Sequence, residues 1–217
     1  MAGTGPELDR SAPTAGPSAG AANVRLMEFQ NVVRQRRMVR SFASGHVPAA
    51  SIERILRNAV RGPSAGFCQG QAFLVLTDDQ LPAFWAIAAE AVYPSVQAAP
   101  LVIVPFSCRQ TYIDAYARSA DEGEDWTDEV NWPMPFWHLD TAMAALLMLL
   151  TAVDEGLAAC FFGVMPAAVG PLRATFGVPA DHEPIGAIAI GYDGEASQLD
   201  HKSRRRPLEQ MVHYGRW

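Results

Sequence analysis

Arg36, Arg37 and Arg40 fall close together, and Arg204, Arg205 and Arg206 form a second run near the other end of the chain. A guanidinium is permanently charged, and its planar fork of donors matches a phosphate. Two such clusters, far apart in sequence, suit one phosphate group gripped from both ends of the chain. Arg36 also continues the helical stripe of Phe29, Val32 and Val33. That spacing predicts a charge on an inward face, where it needs an anionic partner. The plainer reading is a basic helix end plus a solvated basic tail.

A second stretch, Gly62-Pro63-Ser64-Ala65-Gly66-Phe67-Cys68-Gln69-Gly70-Gln71, lies between a helix and a strand. Its small residues would let a flat ligand approach the backbone closely. It also reads as an ordinary connecting loop. Other signatures are missing. There is no P-loop, no G-x-G-x-x-G after a strand and no G-x-S-x-G elbow. His46, His138, His182, His201 and His213 have no metal-ligand spacing, nor do Cys68, Cys108 and Cys160. The odd, scattered cysteines predict no disulfide framework and a reducing, cytoplasmic setting. A net charge of −6 argues against general nucleic-acid binding.

These residues need elements to position them. Apolar spacing predicts helices over about 25–38, 49–61, 81–91, 140–155 and 167–176. Ser51 is the expected N-cap of the second, and Gly156 the expected end of the fourth. Apolar, β-rich runs predict strands at 72–77, 101–106, 158–162 and 185–190. Residues 107–136 read as a helical insertion with a long surface loop. The helix over 140–155 is apolar almost all round, so it needs cover on every side, from a thick core or a second subunit. Its longest apolar run, residues 142–153, is too short to span a bilayer. Residues 1–23, rich in Gly, Pro, Ala and Ser, read as a mobile tail, leaving 24–217 as the folded domain. Helices and strands mix without strict βαβ alternation. The expected class is therefore α+β, with one antiparallel or mixed sheet flanked by helices.

In this order, the stretches resemble the nitroreductase family of FMN proteins. Arg36-Arg37-Met38-Val39-Arg40-Ser41-Phe42 is similar to the family's opening R-R-S-V-R-x-F. Residues 63–69 are similar to its P-S-A-x-N-x-Q, and 140–163 to its long central helix running into G-L-x-x-x-x-x-G. Residues 185–192 and Arg205-x-Pro207-Leu208-Glu209 resemble its last strand and its R-x-P-L-E. The likeness covers about residues 26–217. Three departures from the pattern stand out: Met38 replaces Ser, Phe67 replaces Asn, and the pair Gly70-Gln71 replaces Pro-Trp.

The resemblance implies a nitroreductase-like homodimer of the domain-swapped type, with two FMN sites where the subunits meet. Arg36 and Arg205 would hold the flavin phosphate, with Arg204 a further candidate. Arg37 and Arg40 would lie along the ribityl chain and pyrimidine edge, beside Met38. Pro63, Ser64 and Ala65 would come from the partner subunit against the ring, and Phe67 and Gln69 would also bind the cofactor. Phe162 and Gly163 would supply backbone contacts near flavin N5. NAD(P)H would be the reductant, and a nitroaromatic, quinone or other planar small molecule the acceptor, sharing one pocket in ping-pong fashion. No titrating catalytic pair is needed, because the cofactor carries the chemistry. Gly66-Phe67-x-Gln69 is also similar to flavin-cleaving dimethylbenzimidazole synthases. A flavin-storing protein and a deazaflavin enzyme are further alternatives. The aromatics Trp126, Trp132, Phe136 and Trp137 would either stack over the ligand or simply pack, with His138 a candidate proton donor.

Overall fold

A computed structural model describes residues 27–118, 125–194 and 205–217. The expected tail and Arg204 lie outside the described residues. Among those described, the strands are β1 (Phe42–Ala43), β2 (Gln71–Thr77), β3 (Leu101–Cys108), β4 (Ala158–Phe162), β5 (His182–Pro184) and β6 (Ala187–Asp193). The helices are α1 (Phe29–Gln35), α2 (Ala49–Ala59), α3 (Gln80–Ala88), α4 (Arg109–Ala117), α5 (Phe136–Asp154) and α6 (Pro166–Phe176). The strands pair antiparallel throughout: β2 with β3, β3 with β5 and β6, and β6 with β1 and β4. The class is α+β, as the pattern of elements predicts.

Side-chain alternation explains why the strands read as unbroken apolar runs. Along β3, Leu101 and Ile103 face one way while Val102, Val104 and Phe106 face the other. In β6, Ile188 and Ile190 join the first set, Ala187 and Ala189 the second. Both faces are buried. Ile55, Ala59 and Met148 of α2 and α5 cover one; Phe84, Trp85 and Leu172 of α3 and α6 cover the other.

Local chemistry sets the element ends. At the C-terminus of α5, Gly156 adopts φ 71°, Leu157 N–H donates to Ala152 O at 2.7 Å, and Gly156 N–H donates to Val153 O at 2.9 Å. This is the paired-bond stop that a left-handed glycine permits. Ser51 is not the cap of α2. Pro48 holds that position, and Ser51 Oγ donates to Glu155 Oε2 at 2.8 Å, joining α2 to the end of α5. Arg54 also bonds Glu155, and this contact chiefly holds the Glu155 carboxyl below the ordinary glutamate range.

One expectation is corrected, and another is met in part by cover from within the chain. First, α1 ends at Gln35 rather than Met38, because the chain leaves the helix to pair with β4: Val39 N–H donates to Ala159 O at 3.0 Å. Within α1 only Val32 is buried, Phe29 is 66 % exposed, and Val33 is exposed too. The inward stripe that would have buried Arg36 is therefore absent from this chain, and Arg36 is half-buried. Second, α5 is covered on one side only. Ala144, Ala145, Met148, Leu149 and Ala152 are buried, but Ala142 and Leu146 are exposed, and Leu139, Met143, Leu147 and Leu150 are half-buried. At 19 residues α5 is long and apolar enough to cross a membrane, although its most apolar window is half buried inside the molecule.

Candidate functional site

The expected ligand residues divide between the two edges of the sheet. At one edge, Met38 bridges Ala159 of β4 in parallel, and Phe161 N–H points at Met38 Sδ from 3.3 Å. This pairing lays residues 38–40 alongside β4. It brings Arg40 to a cavity of about 500 Å³, whose walls include Glu90, Tyr93, Cys160, Phe161 and Phe162. That volume lies within the usual range for small-molecule sites, about 300–1,000 Å³. Arg40 is half-buried; its Nη1 donates to Met38 O at 3.4 Å, and its own carbonyl accepts from Ser95 Oγ at 2.5 Å. Burial pushes the Cys160 thiol up, with the Arg40 charge opposing, so Cys160 stays protonated near neutral pH.

Gly163 follows β4 directly, and a Cβ built there meets nothing within 4 Å, so the backbone here faces open space. Arg37 forms an ion pair with Asp193, whose strand register places it opposite Phe42. Arg205 is exposed at the start of the terminal arm. The structure thus gathers Arg40 and Phe162 on one cavity, seats Met38 against Phe161 next to it, commits Arg37 to a carboxylate, and leaves Arg205 on the surface.

Pro63, Ser64, Ala65, Phe67 and Gln69 precede β2, at the opposite edge. From β4 through β6 and β3 to β2 is three strand spacings, about 14 Å. This loop is tightly determined. Ala65 N–H donates to Asp140 Oδ2 at 2.7 Å, and Tyr112 Oη donates to the same oxygen at 2.8 Å. Gln69 N–H donates to Ser64 Oγ at 2.9 Å, and Phe67 N–H to Ser64 O at 2.9 Å. Burial above all pushes the Tyr112 hydroxyl well up, so it remains a donor.

Within this frame Phe67 and Gln69 both adopt φ 54°. Left-handed backbone at a non-glycine residue costs about 1–3 kcal/mol each and persists only where the surroundings impose it. The result is that Phe67 stands out at 77 % exposure. The glycines of this loop serve packing. A Cβ at Gly70 would sit 2.5 Å from the Tyr112 ring and 2.9 Å from Cys108 O, and one at Gly66 would sit 2.9 Å from Tyr116.

The aromatics expected either to cover a ligand or to pack do pack. Trp132 and Trp137 are buried with Tyr112, and Trp126, Phe136 and Tyr116 lean against them. Trp132 meets Trp137 edge-on at 5.5 Å, and Trp132 Nε1 donates to Trp126 O at 2.9 Å. His138 Nδ1 lies 2.9 Å from Ser107 Oγ, and its Nε2 is 3.8 Å from Glu183. Neither element borders the cavity.

Two groups escaped the sequence reading. Residues 90–93 line the cavity but looked like the end of a helix; the break at Tyr93-Pro94 was the available signal. Asp140, the anchor of the loop, looked like a helix boundary. A lone acid at the start of an apolar helix gives no hint that two donors will converge on it.

Comparison with known proteins agrees with this architecture. A protein from Methanothermobacter thermautotrophicus, provisionally named NADH dehydrogenase/NAD(P)H nitroreductase, is 26 % identical over 178 residues, covering 79 % of this chain and 81 % of the relative. A nitroreductase family protein from Clostridium difficile shares the fold with a TM-score of 0.68 at 22 % identity, covering 88 % of this chain and all of the other. A provisionally named nitroreductase from Desulfovibrio desulfuricans, solved in complex with FMN, gives a TM-score of 0.64 at 22 % identity, over 86 % of this chain and 95 % of the other. The model of the nitroreductase family matches residues 33–192, nearly three-quarters of the sequence. The chain belongs to the nitroreductase family.

Proposed function

We propose that this protein is an FMN-dependent oxidoreductase working as a homodimer, taking reducing equivalents from NAD(P)H and passing them to a planar acceptor such as a nitroaromatic or quinone. The observation that carries the reading is the division of the site. A cavity with a guanidinium at its wall sits at one edge of the sheet, and a stiff loop presenting Phe67 sits at the other edge, three strands across. Two copies related by a two-fold axis would bring one half of each together. The uncovered apolar stripe of α5, with Phe29 and Val33, is a surface such a partner would bury.

The residues present fit a flavin mononucleotide. The cavity has the size, the β4 edge has the cations, and Gly163 leaves its backbone open. Bound there, FMN would supply two-electron transfer. Arg36 and Arg205, with Arg204, would hold the phosphate. Arg37 and Arg40, beside Met38, would set positive charge along the ribityl chain and pyrimidine edge. Phe162 and Gly163 would offer backbone contacts to the ring. Pro63, Ser64, Ala65, Phe67 and Gln69 of the second copy would close the site and exclude water. With Cys160 held as a neutral thiol, Arg40 is the cationic group of the cavity wall that favours an anionic ligand, and the Glu90 carboxyl lines the same cavity.

The test is a visible spectrum of the purified protein, followed by anaerobic NADH or NADPH and light scattering for mass. The expected result is a dimer with a flavin band that bleaches and is restored by an added acceptor. A colourless monomer that takes up no FMN overturns the proposal. Retained flavin that neither nicotinamide reduces indicates storage. Loss of flavin colour in air with a new small product indicates flavin cleavage.

A further inference from the structure

Cys108 and His182 lie 74 positions apart in sequence, yet β3 and β5 pair them directly, Cα opposite Cα. Side chains so placed across antiparallel strands share a face, with Cβ atoms about 4.5–5.5 Å apart. Asp181, one residue before β5, completes a group of three. Cys108 Sγ is 3.6 Å from Asp181 Oδ2, and His182 Nδ1 is 2.8 Å from Asp181 Oδ1. One ligating atom from each of the three lies within 4.8 Å of the others. The thiol is buried, the imidazole half-buried and the carboxylate exposed, so the group opens to solvent on the Asp181 side.

The backbone that carries these groups is fixed. Cys108 N–H donates to Gly70 O at 2.8 Å, and Arg173 Nη2 donates to His182 O at 2.8 Å. None of the three lines the cavity at the β4 edge.

We propose that Cys108, Asp181 and His182 form a binding site for Zn²⁺. Sulfur, nitrogen and oxygen donors together suit a borderline-soft divalent cation, and three protein ligands leave a fourth position for water. Binding takes Cys108 as thiolate, its proton passing to solvent, and His182 as neutral imidazole. The ion would tie the end of β3 to the start of β5. Through the Cys108–Gly70 hydrogen bond it would also tie the base of the loop that carries Phe67.

The test uses the full-length protein, freed of metal with a chelator and titrated with CoCl₂, then ZnCl₂. The expected result is about one Co²⁺ per chain with a thiolate-to-cobalt charge-transfer band, displaced by Zn²⁺. Cys108→Ser should abolish the band. His182→Ala should weaken Co²⁺ binding by at least about tenfold while the far-ultraviolet circular dichroism is kept. Zn²⁺ should raise the melting temperature of the parent protein but not of either variant. Absence of the band in the parent, or a band that survives Cys108→Ser, overturns the proposal. Where Cys108→Ser does not fold, His182→Ala decides, and unchanged Co²⁺ affinity in that variant overturns it as well.

Discussion

Along the β4 edge, residues 36–40 are held by backbone pairing, while their guanidinium groups sit half-buried or exposed. In the loop from Ser64 to Gly70, nearly every backbone turn has a named partner, and one buried carboxylate takes two donors. The first region offers charge and space. The second offers stiffness and an exposed aromatic. A cationic edge with accessible guanidinium groups suits a phosphorylated ligand, whereas a rigid loop can define the wall a planar molecule slides against. In the proposed homodimer each region would complete the other, a physical purpose for the dimer beyond burying apolar area.

The sharpest way to break the comparison is to keep the halves apart. Leu146 is 49 % exposed at the middle of the uncovered stripe on α5. Leu146→Asp should place an unpaired charge in the proposed subunit contact, costing about 3–5 kcal/mol. That is roughly a 150- to 5,000-fold loss in dimer affinity. Light scattering at micromolar concentration should show monomer, and flavin should be lost with it. A dimer that retains its flavin would place the contact elsewhere.

Loosening the rigid half comes next. Asp140→Ala leaves the Ala65 amide and the buried Tyr112 hydroxyl without their acceptor. The expected cost is about 2–3 kcal/mol, a fall in melting temperature of roughly 4–12 °C. Calorimetry on the purified protein checks it, and an unchanged melting temperature would mean that the loop is held by other bonds.

The cationic half should respond in binding rather than stability. Arg36→Ala and Arg40→Ala each remove one charge-assisted contact, worth about 1.5–3 kcal/mol. FMN affinity should fall about 10- to 150-fold, with the melting temperature of the flavin-free protein nearly unmoved. Fluorescence titration of FMN separates the two. Equal affinity in the Arg36 variant would remove that residue from the phosphate site.

The smallest effect lies away from both halves and serves as their control. The Arg54 and Ser51 contacts hold the Glu155 carboxyl below its usual range. A depressed folded-state value means that its stabilising contribution is complete above the unfolded glutamate range, near about 4.3. That contribution is lost as pH falls through the lower folded value. Glu155→Gln should therefore flatten the acid limb of the stability–pH curve and leave FMN affinity unchanged. An acid limb identical to that of the parent would show that the pair contributes nothing.

Much of the fold was legible from spacing. The continuous, β-rich apolar runs placed β2, β3 and β4, and Gly156 placed the end of α5. The site was legible only as a set of residue types. Arg36, Arg37 and Arg40 announce anion binding by composition, but nothing local says that Arg37 will turn to Asp193 or that Phe29 and Val33 will face outward. Asp140 and the trio Cys108, Asp181 and His182 were invisible, because their partners are brought in by strand pairing and helix packing across long stretches of chain.

Periodicity, glycine positions and the order of the arginine and glycine-rich motifs were set by the sequence alone, since they depend on neighbours within a few residues. Which edge of the sheet each motif occupies, which aromatics pack on each other, and which face of α5 stays bare within the chain were decided only by the tertiary structure. These outcomes turn on competition between distant groups for the same buried space and the same hydrogen bonds, and no short stretch of chain holds both competitors.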